Sequence, residues 1–158
     1  MILARFAGTV EHLMALDVSA MAAWITAIDF RDWPQQRLNE LRPAMVTDPA
    51  WRGFGAIAEP VVAAIMAAHF LGCAADQRML SVVMPGHAIE PHTDSQPPSW
   101  LCRVHVPLTS NERSGFIVGG VRHCMGPGHA YRVNTEAVHA VENDGDVARI
   151  HFMFDVKH

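Results

Sequence analysis

Several features that mark particular protein classes are scarce or absent in this sequence. Lysine occurs once, at Lys157, and no run of basic residues is present. The net charge is −4 at pH 7 and the pI is near 6.2, which argues against nucleic acid as a partner. The apolar stretch 61–71 has only the length of a buried helix. The apolar start of the chain is too short for a signal peptide. We therefore expect neither a membrane span nor a secretory leader.

Cysteine is also rare. The chain has three cysteines, which are widely spaced and form neither a CxxC pair nor a zinc-finger pattern: Cys73, Cys102 and Cys124. This usage predicts reduced thiols in a cytoplasmic protein. Half of the 158 residues are hydrophobic and 18% are charged, which is typical of one globular domain with its own core. What the chain has in excess is histidine, with ten residues.

The first 75 residues carry mainly helical patterns. The expected elements are a short strand at 1–8, a helix from an N-cap at Asp17 or Ser19 to residue 28, a second helical piece at 33–43, a loop at 47–55, and a third helix at 59–70 that starts with Pro60 in its first turn. This region is expected to support the rest of the domain.

After Gly72 the pattern changes to short β-branched runs separated by Gly, Pro, Asn and Asp. Seven strands are predicted, at 79–84, 89–94, 101–108, 115–118, 130–134, 139–142 and 147–156. Helices followed by evenly spaced strands predict a mostly β fold with N-terminal helices (α+β), in which about three helices buttress an antiparallel jelly roll. We expect one domain over 1–158, with support in 1–75 and the β core in 76–158.

A His-x-Asp tripeptide lies in the second predicted strand. His92 and Asp94 are two apart and would project from the same face of that strand. An imidazole and a carboxylate are two of the three ligands of the 2-His-1-carboxylate arrangement, which binds Fe(II) and leaves coordination positions open. Chance alone would supply roughly 0.6 such tripeptides in this composition, so the surrounding sequence has to decide.

A third ligand has to come from a distant strand. His139, at the start of a predicted strand, is our candidate, and its rivals are His123, His129 and His151. Arg149 favours His139, because it follows ten residues later across an Asn-Asp-Gly turn. The two would then lie on adjacent strands of a single hairpin. A guanidinium near iron is suited to grip the remote carboxylate of a dicarboxylate cosubstrate.

Two strands share a pattern of alternating polarity. In 103–106 and in 149–152 an arginine and a histidine lie on one face and apolar residues on the other. The polar faces could point to water, or they could line a ligand-holding interior. Arg103 and His105 could also have a structural role, paired with Asp155 or Glu142. No role is assigned to His151, which is expected in solvent or a loop.

Taken together, these motifs resemble the aspartyl/asparaginyl β-hydroxylase family of Fe(II)- and 2-oxoglutarate-dependent dioxygenases. The resemblance covers residues 79–156, about half of the chain, through Met84-Pro85-Gly86, Pro91-His92-Thr93-Asp94, Arg103-Val104-His105-Val106-Pro107-Leu108, Val133-Asn134-Thr135, His139, Asn143, Arg149-Ile150-His151 and Phe154-Asp155-Val156. It implies a double-stranded β-helix, a jelly roll whose open end holds the iron.

The resemblance also implies roles for individual residues. His92, Asp94 and His139 match the iron ligands, and Arg149 with Ser81 matches the pair that binds the C5 carboxylate of 2-oxoglutarate. His105 falls near the C1 carboxylate and Arg103 near the substrate. Ser81 could instead satisfy a neighbouring backbone group. Three further residues are candidates to close over the substrate: Trp100, Trp51 and Arg52.

The expected function is a dioxygenase that uses Fe(II), 2-oxoglutarate and O₂ to hydroxylate an amino acid, free or in a peptide. Two alternatives stay open. One is a cupin-type metal enzyme that does not use 2-oxoglutarate, and the other is a non-catalytic module that binds a metal or a dicarboxylate. Neither the substrate nor the oligomeric state follows from the sequence.

Overall fold

The computed structural model describes residues 3–42 and 49–158, with the side chains of 49–52 outside the description. Its helices are α1 (Ser19–Thr26), α2 (Gln35–Leu38) and α3 (Pro49–His69). Its strands are β1 (Val10–Ala15), β2 (Ala74–Val83), β3 (His87–His92), β4 (Trp100–Thr109), β5 (Ser114–Val118), β6 (Val121–His123), β7 (His129–Val133), β8 (His139–Asn143) and β9 (Arg149–Lys157). No helix in these two ranges combines the length and hydropathy that crossing a bilayer requires.

The strands form two antiparallel sheets. One has five strands in the order β1-β7-β4-β9-β2, and the other has four in the order β3-β8-β5-β6. The predicted fold class, a mostly β jelly roll with N-terminal helices, is confirmed. After Gly72 eight strands form where seven were predicted, because β6 lies in a stretch not assigned to a strand. β1 lies before the helices, in another stretch not assigned to a strand.

The two faces of the five-stranded sheet differ in polarity. One face packs on the helices through an apolar cluster that includes Val104, Phe152 and Phe154. The alternate residues of the same strands face the four-stranded sheet, and these include Arg103 and Arg149. Both faces of the central strands are therefore covered, and the polar one lines an interior. Of the two orientations considered from the sequence, the structure has the one in which the polar faces point to the interior.

The N-terminal strand prediction is wrong. Residues 3–9 form no strand, and the first strand is β1, an edge strand paired with β7. Arg5 instead forms an ion pair of 2.6 Å with Glu136, and the Arg132 guanidinium lies 4.4 Å from the Phe6 ring centroid. Side-chain contacts and one backbone hydrogen bond, from the Phe6 N–H to the Leu101 carbonyl at 2.9 Å, fix this segment without strand pairing.

The predicted loop at 47–55 is also wrong where the structure describes it. Residues 47 and 48 lie outside the described residues, but α3 begins at Pro49 and continues through Pro60, where the third helix was expected to start. Phe54 and Ala58 are buried one turn apart, and the Phe54 ring lies 5.6 Å from the ring of Phe152. Burial of this face on the sheet outweighs the poor helix propensity of glycine and proline.

The expected hairpin between His139 and Arg149 does not form. β8 pairs with β3 and β5, whereas β9 pairs with β2 and β4, so the two residues belong to different sheets. The fully buried Asn143 anchors the connection, because its amide nitrogen donates to the carbonyl oxygens of Val83 and Val147 at 2.8 Å each. The turn carries the chain from one sheet to the other.

Phe54 offers a test of the helix-to-sheet packing. Phe54→Ala should lower the free energy of unfolding by about 3–5 kcal/mol, because it removes a ring that is only 1% exposed and leaves a cavity. Leu71→Ala is the control, since Leu71 is 79% exposed and its loss should change stability by less than about 0.5 kcal/mol. Urea denaturation of both variants measures the difference, and similar small losses would contradict this packing.

Candidate metal centre and anion cavity

Three ligand-type side chains converge between the sheets. His92 ends β3, His139 begins β8, and the two are direct partners in the β3–β8 register. Asp94 follows β3, and its backbone N–H donates to the Thr135 carbonyl at 2.9 Å. One ligand atom from each of His92, Asp94 and His139 lies within 4.8 Å of the others. In the described part of the chain, no other group of three such residues comes this close.

Backbone contacts orient both imidazoles. His92 Nδ1 lies 2.7 Å from the Glu90 carbonyl oxygen, and His139 Nδ1 lies 2.9 Å from that of Ala137. A carbonyl can only accept, so each Nδ1 carries the proton and each Nε2 is left free as a ligand atom. Burial lowers the pKa of His139 from its usual value, which favours the neutral form that binds metal.

The cavity around this triad brings together every predicted metal and cosubstrate residue. Its walls include all three triad members with Ser81, Arg103, His105 and Arg149. The remaining walls are largely apolar and include Phe116, Val141 and Met153. The triad comes from the four-stranded sheet and the loop after β3, whereas the other polar residues come from β2, β4 and β9.

Arg149 is a buried cation. It is 2% exposed, and no carboxylate among the described residues lies within ion-pair distance of its guanidinium. Burial lowers the pKa of Arg149 to about 9. Its nearest partners are His151 Nδ1, at 3.1 Å from Nη2, and the ring of Phe116, with its centroid 5.6 Å from Cζ. A buried charge in this state favours an anionic ligand.

Two further polar atoms in the cavity walls lack partners. Ser81 Oγ and His105 Nε2 are buried, and neither has a hydrogen-bond partner among the described residues. The alternative in which Ser81 satisfies a backbone group is therefore not realised there. Buried polar atoms are nearly always hydrogen-bonded in folded proteins, so a ligand or water is expected at these positions. A carboxylate would suit both Ser81 and Arg149.

His151 is the residue that the sequence interpretation missed. It is 1% exposed, so the expectation of a solvent or loop position is wrong. Because a guanidinium only donates, His151 Nδ1 accepts from Arg149, and the same atom lies 3.3 Å from His105 Nδ1. Burial and the charge of Arg149 hold the pKa of both histidines well below the usual value. The sequence did contain a signal for this position, because residues two apart on a strand share a face and His151 therefore lies on the same face as Arg149.

Arg103 has two carboxylate partners. Its Nη1 donates to Asp94 Oδ2 at 2.7 Å, and its Nε and Nη2 donate to Asp155 at 2.8 and 3.0 Å. The structural pairing with Asp155, one of the roles considered from the sequence, is therefore present. Trp100 is 1% exposed, and its indole N–H donates to Asp155 at 3.0 Å. The side chains of Trp51 and Arg52 lie outside the described residues.

A second groove opens beside the cavity and shares Glu40, Asp94 and Arg103 with it. The other residues along it are mostly polar or charged: Arg42, Gln77, Ser95, Gln96, Pro97, Trp100, Asp155 and Lys157. Gln77 has φ 52°, a left-handed conformation uncommon for a residue other than glycine, at an irregularity of the β2 register. The groove is therefore a mostly polar surface that extends to the carboxylate of Asp94.

The chain is similar to a known protein family in sequence and to solved proteins in structure. The family described as aspartyl/asparaginyl β-hydroxylase matches residues 56–158, about two thirds of the chain. No curated protein matches in sequence.

Three solved structures illustrate the shared fold. A viral collagen prolyl hydroxylase from Paramecium bursaria Chlorella virus-1 has a TM-score of 0.63 at 10% identity over 96% of both chains. An oxidoreductase of the 2OG-Fe(II) oxygenase family from Burkholderia pseudomallei has a TM-score of 0.63 at 13% identity, over 99% of this chain and 95% of that one. A prolyl-4-hydroxylase from Pseudomonas putida has a TM-score of 0.57 at 14% identity, over 96% and 94%.

The two buried histidines predict how stability depends on pH. His105 and His151 stay neutral in the folded protein, whereas the unfolded chain takes up protons near pKa 6.5. The folded pKa lies below the unfolded one, so this stability is complete above pH 6.5 and decreases as the pH falls. The loss is up to about 1.4 kcal/mol per pH unit for each histidine.

Urea unfolding of chelator-treated protein at about pH 7.5 and about pH 5.5 measures the loss. His151→Asn keeps an acceptor near Arg149 without an imidazole, so its stability should fall less steeply with acid than that of the wild type. Equal slopes for the two proteins would contradict the assignment of His151.

Proposed function

Because the chain belongs to the aspartyl/asparaginyl β-hydroxylase family, we propose that it is an Fe(II)- and 2-oxoglutarate-dependent dioxygenase that hydroxylates an amino acid, free or within a peptide. One observation carries this proposal. A guanidinium without a carboxylate partner in the described structure lies in the same cavity as two histidines and an aspartate with free ligand atoms. A metal site and a dicarboxylate site are thus combined.

The donor set fits Fe(II). His92 and His139 would supply neutral nitrogens and Asp94 an anionic oxygen, and a three-residue set leaves coordination positions for cosubstrate and oxygen. When iron, 2-oxoglutarate and O₂ are bound, this chemistry inserts one oxygen atom into a substrate C–H bond and converts 2-oxoglutarate to succinate and CO₂. The contribution of the chain is to fix the three ligands and to hold cosubstrate and substrate beside them.

The walls of the cavity suit 2-oxoglutarate. Arg149 would bind its C5 carboxylate with both prongs of the guanidinium, and the Ser81 hydroxyl would donate to the same group. His151 accepts from Arg149 and so limits the rotation of the fork. His105 would lie near the C1 carboxylate. Phe116 and Met153 line the space between and exclude water from the apolar part of the cosubstrate.

The second groove is the proposed entry for the substrate. It reaches Asp94, and the charged residues Glu40, Arg42 and Lys157 line it, so it suits a polar or charged amino acid better than an apolar one. Trp51 and Arg52 remain candidates to close over the substrate. A cytoplasmic location is also proposed, and three cysteines that are free in the structure support it.

Binding of 2-oxoglutarate to the Mn(II)-loaded protein tests the cosubstrate site without turnover. Arg149→Gln should weaken binding about 100-fold, because it removes charge-assisted hydrogen bonds worth roughly 3 kcal/mol. Ser81→Ala should weaken it about 5-fold, since one neutral donor is lost. Isothermal titration calorimetry measures both. Arg132→Gln is the control, because Arg132 pairs with Glu11 outside the cavity at 2.6 Å. Unchanged affinity in Arg149→Gln would refute the proposed site.

Activity is tested with Fe(II), 2-oxoglutarate and a library of amino acids and peptides, with succinate and a product heavier by one oxygen atom detected by mass spectrometry. His139→Ala and Asp94→Ala should abolish both signals, because each removes a metal ligand. Tight 2-oxoglutarate binding with no succinate from any substrate would point to the non-catalytic alternative. Succinate-free oxidation would point to the cupin-type one.

A further inference from the structure

Four side chains form a continuous hydrogen-bonded row that ends at the metal-ligating carboxylate. In order they are Trp100, Asp155, Arg103 and Asp94, named here the Arg103 row. We propose that Arg103 is a positioning residue that holds Asp94 as a one-oxygen metal ligand, and that Asp155 and Trp100 fix Arg103 for this task. The inference rests on the metal site proposed above, but not on the identity of the substrate.

The middle of the row is built into the rigid part of the fold. Arg103 and Asp155 lie directly opposite each other on β4 and β9. Both strands have a neighbour on each side in the five-stranded sheet. Asp155 is 5% exposed, and it binds the guanidinium in the two-pronged geometry, at 2.8 Å to Nε and 3.0 Å to Nη2. Such a pair sets the plane of the guanidinium as well as its position.

Trp100 completes the coordination of Asp155. Its indole N–H donates to Oδ1, the oxygen that also accepts from Arg103 Nε. Because the indole is almost fully buried, water does not compete for this hydrogen bond. Trp100 does not line the cavity, and its buried indole N–H has a role in this row because it donates to Asp155.

The end of the row needs this support. Asp94 lies beyond the end of β3, and its side chain is 25% exposed, so strand packing does not fix its carboxylate. Arg103 Nη1 donates to Oδ2 at 2.7 Å, while Oδ1 lies 3.9 Å from His92 Nε2 and Oδ2 lies 4.0 Å from His139 Nε2. The bond to Arg103 takes up one lone pair of Oδ2, so it favours Oδ1 as the oxygen that binds the metal. A carboxylate that binds through one oxygen leaves a further coordination position open.

The charges fit this role better than a clamp on the substrate. The single positive charge of Arg103 already faces two carboxylates, and three of its five N–H groups are used. Burial acts to lower the pKa of Arg103, but the bonds to Asp155 and the charge of Asp94 outweigh it and raise the pKa. Because the two carboxylates outnumber the one guanidinium, this cluster favours a cation such as a divalent metal and disfavours a further carboxylate on Arg103.

Co(II) titration of the full chain tests the proposal, with visible absorption reporting the ligand set and calorimetry the affinity. Asp155→Asn keeps the shape of the side chain but loses the charge that orients Arg103. We expect its Co(II) dissociation constant to rise about 10-fold, as for other outer ligand partners, and the saturated Co(II) spectrum to change.

Glu11→Gln is the matched control. Glu11 and Arg132 are also directly opposite each other in this sheet and form an ion pair of 2.6 Å, but neither lines the cavity or the groove. Its affinity and spectrum should match the wild type. A loss of general sheet stability would lower the unfolding temperature in either variant without changing the spectrum of folded, saturated protein.

The outcomes separate the two proposals. If the wild type binds no Co(II), the proposed function fails. If the wild type binds Co(II) and folded Asp155→Asn binds it with unchanged affinity and spectrum, only the positioning role fails. If Asp155→Asn does not fold, Arg103→Lys is used instead. It keeps the charge but cannot hold Asp155 and Asp94 together, so it should show the same changes, and wild-type behaviour in it would overturn the inference.

Discussion

A positive charge enclosed between two sheets is the constraint on which the rest of the site depends. In the described structure, the Arg149 guanidinium has an imidazole and an aromatic ring as its nearest partners rather than a carboxylate. Such a charge is costly to bury, and the cost is tolerable only if a ligand provides the missing anion. The Ser81 hydroxyl and His105 Nε2 are also buried without a hydrogen-bond partner in the described structure, so a ligand would lower the cost of burying them as well. The fold holds these three groups in position for a ligand, and burying them without partners lowers its own stability.

The proposed metal ligands are held by a different means. They lie at the ends of β3 and β8 and in the adjoining loop, where backbone carbonyls fix each ring through Nδ1. This edge is more open than the anion site, since the His92 side chain is 42% exposed whereas Arg149 is 2% exposed. The difference suits the order of the chemistry, because the substrate has to reach the metal while the remote carboxylate of the cosubstrate stays enclosed.

Spacing in the sequence predicted the fold class, and the residues that it indicated for metal and cosubstrate line one cavity, but part of the reasoning was wrong. His139 and Arg149 were expected to be hairpin partners, and they lie instead on opposite sheets. A short turn between two β runs does not reveal whether the chain returns along its own sheet or crosses to the other one. The extent of α3 was missed because tertiary burial of Phe54 outweighed its local signals. His151 was misjudged although its alternation with Arg149 was visible in the sequence. The bond from Trp100 to Asp155 was not predicted because the two residues are remote in sequence.

The crossover at Asn143 has a mechanical consequence. It ties the end of β8 to the last residue of β2, so the separation of the two sheets is set at one end of the cavity by side-chain hydrogen bonds. The proposed metal triad belongs to one layer and the proposed anion-binding residues to the other. A dicarboxylate that reached both would act as a cross-brace between the layers. Binding of the dicarboxylate would then reduce the motion of the two sheets relative to each other, in addition to filling the cavity.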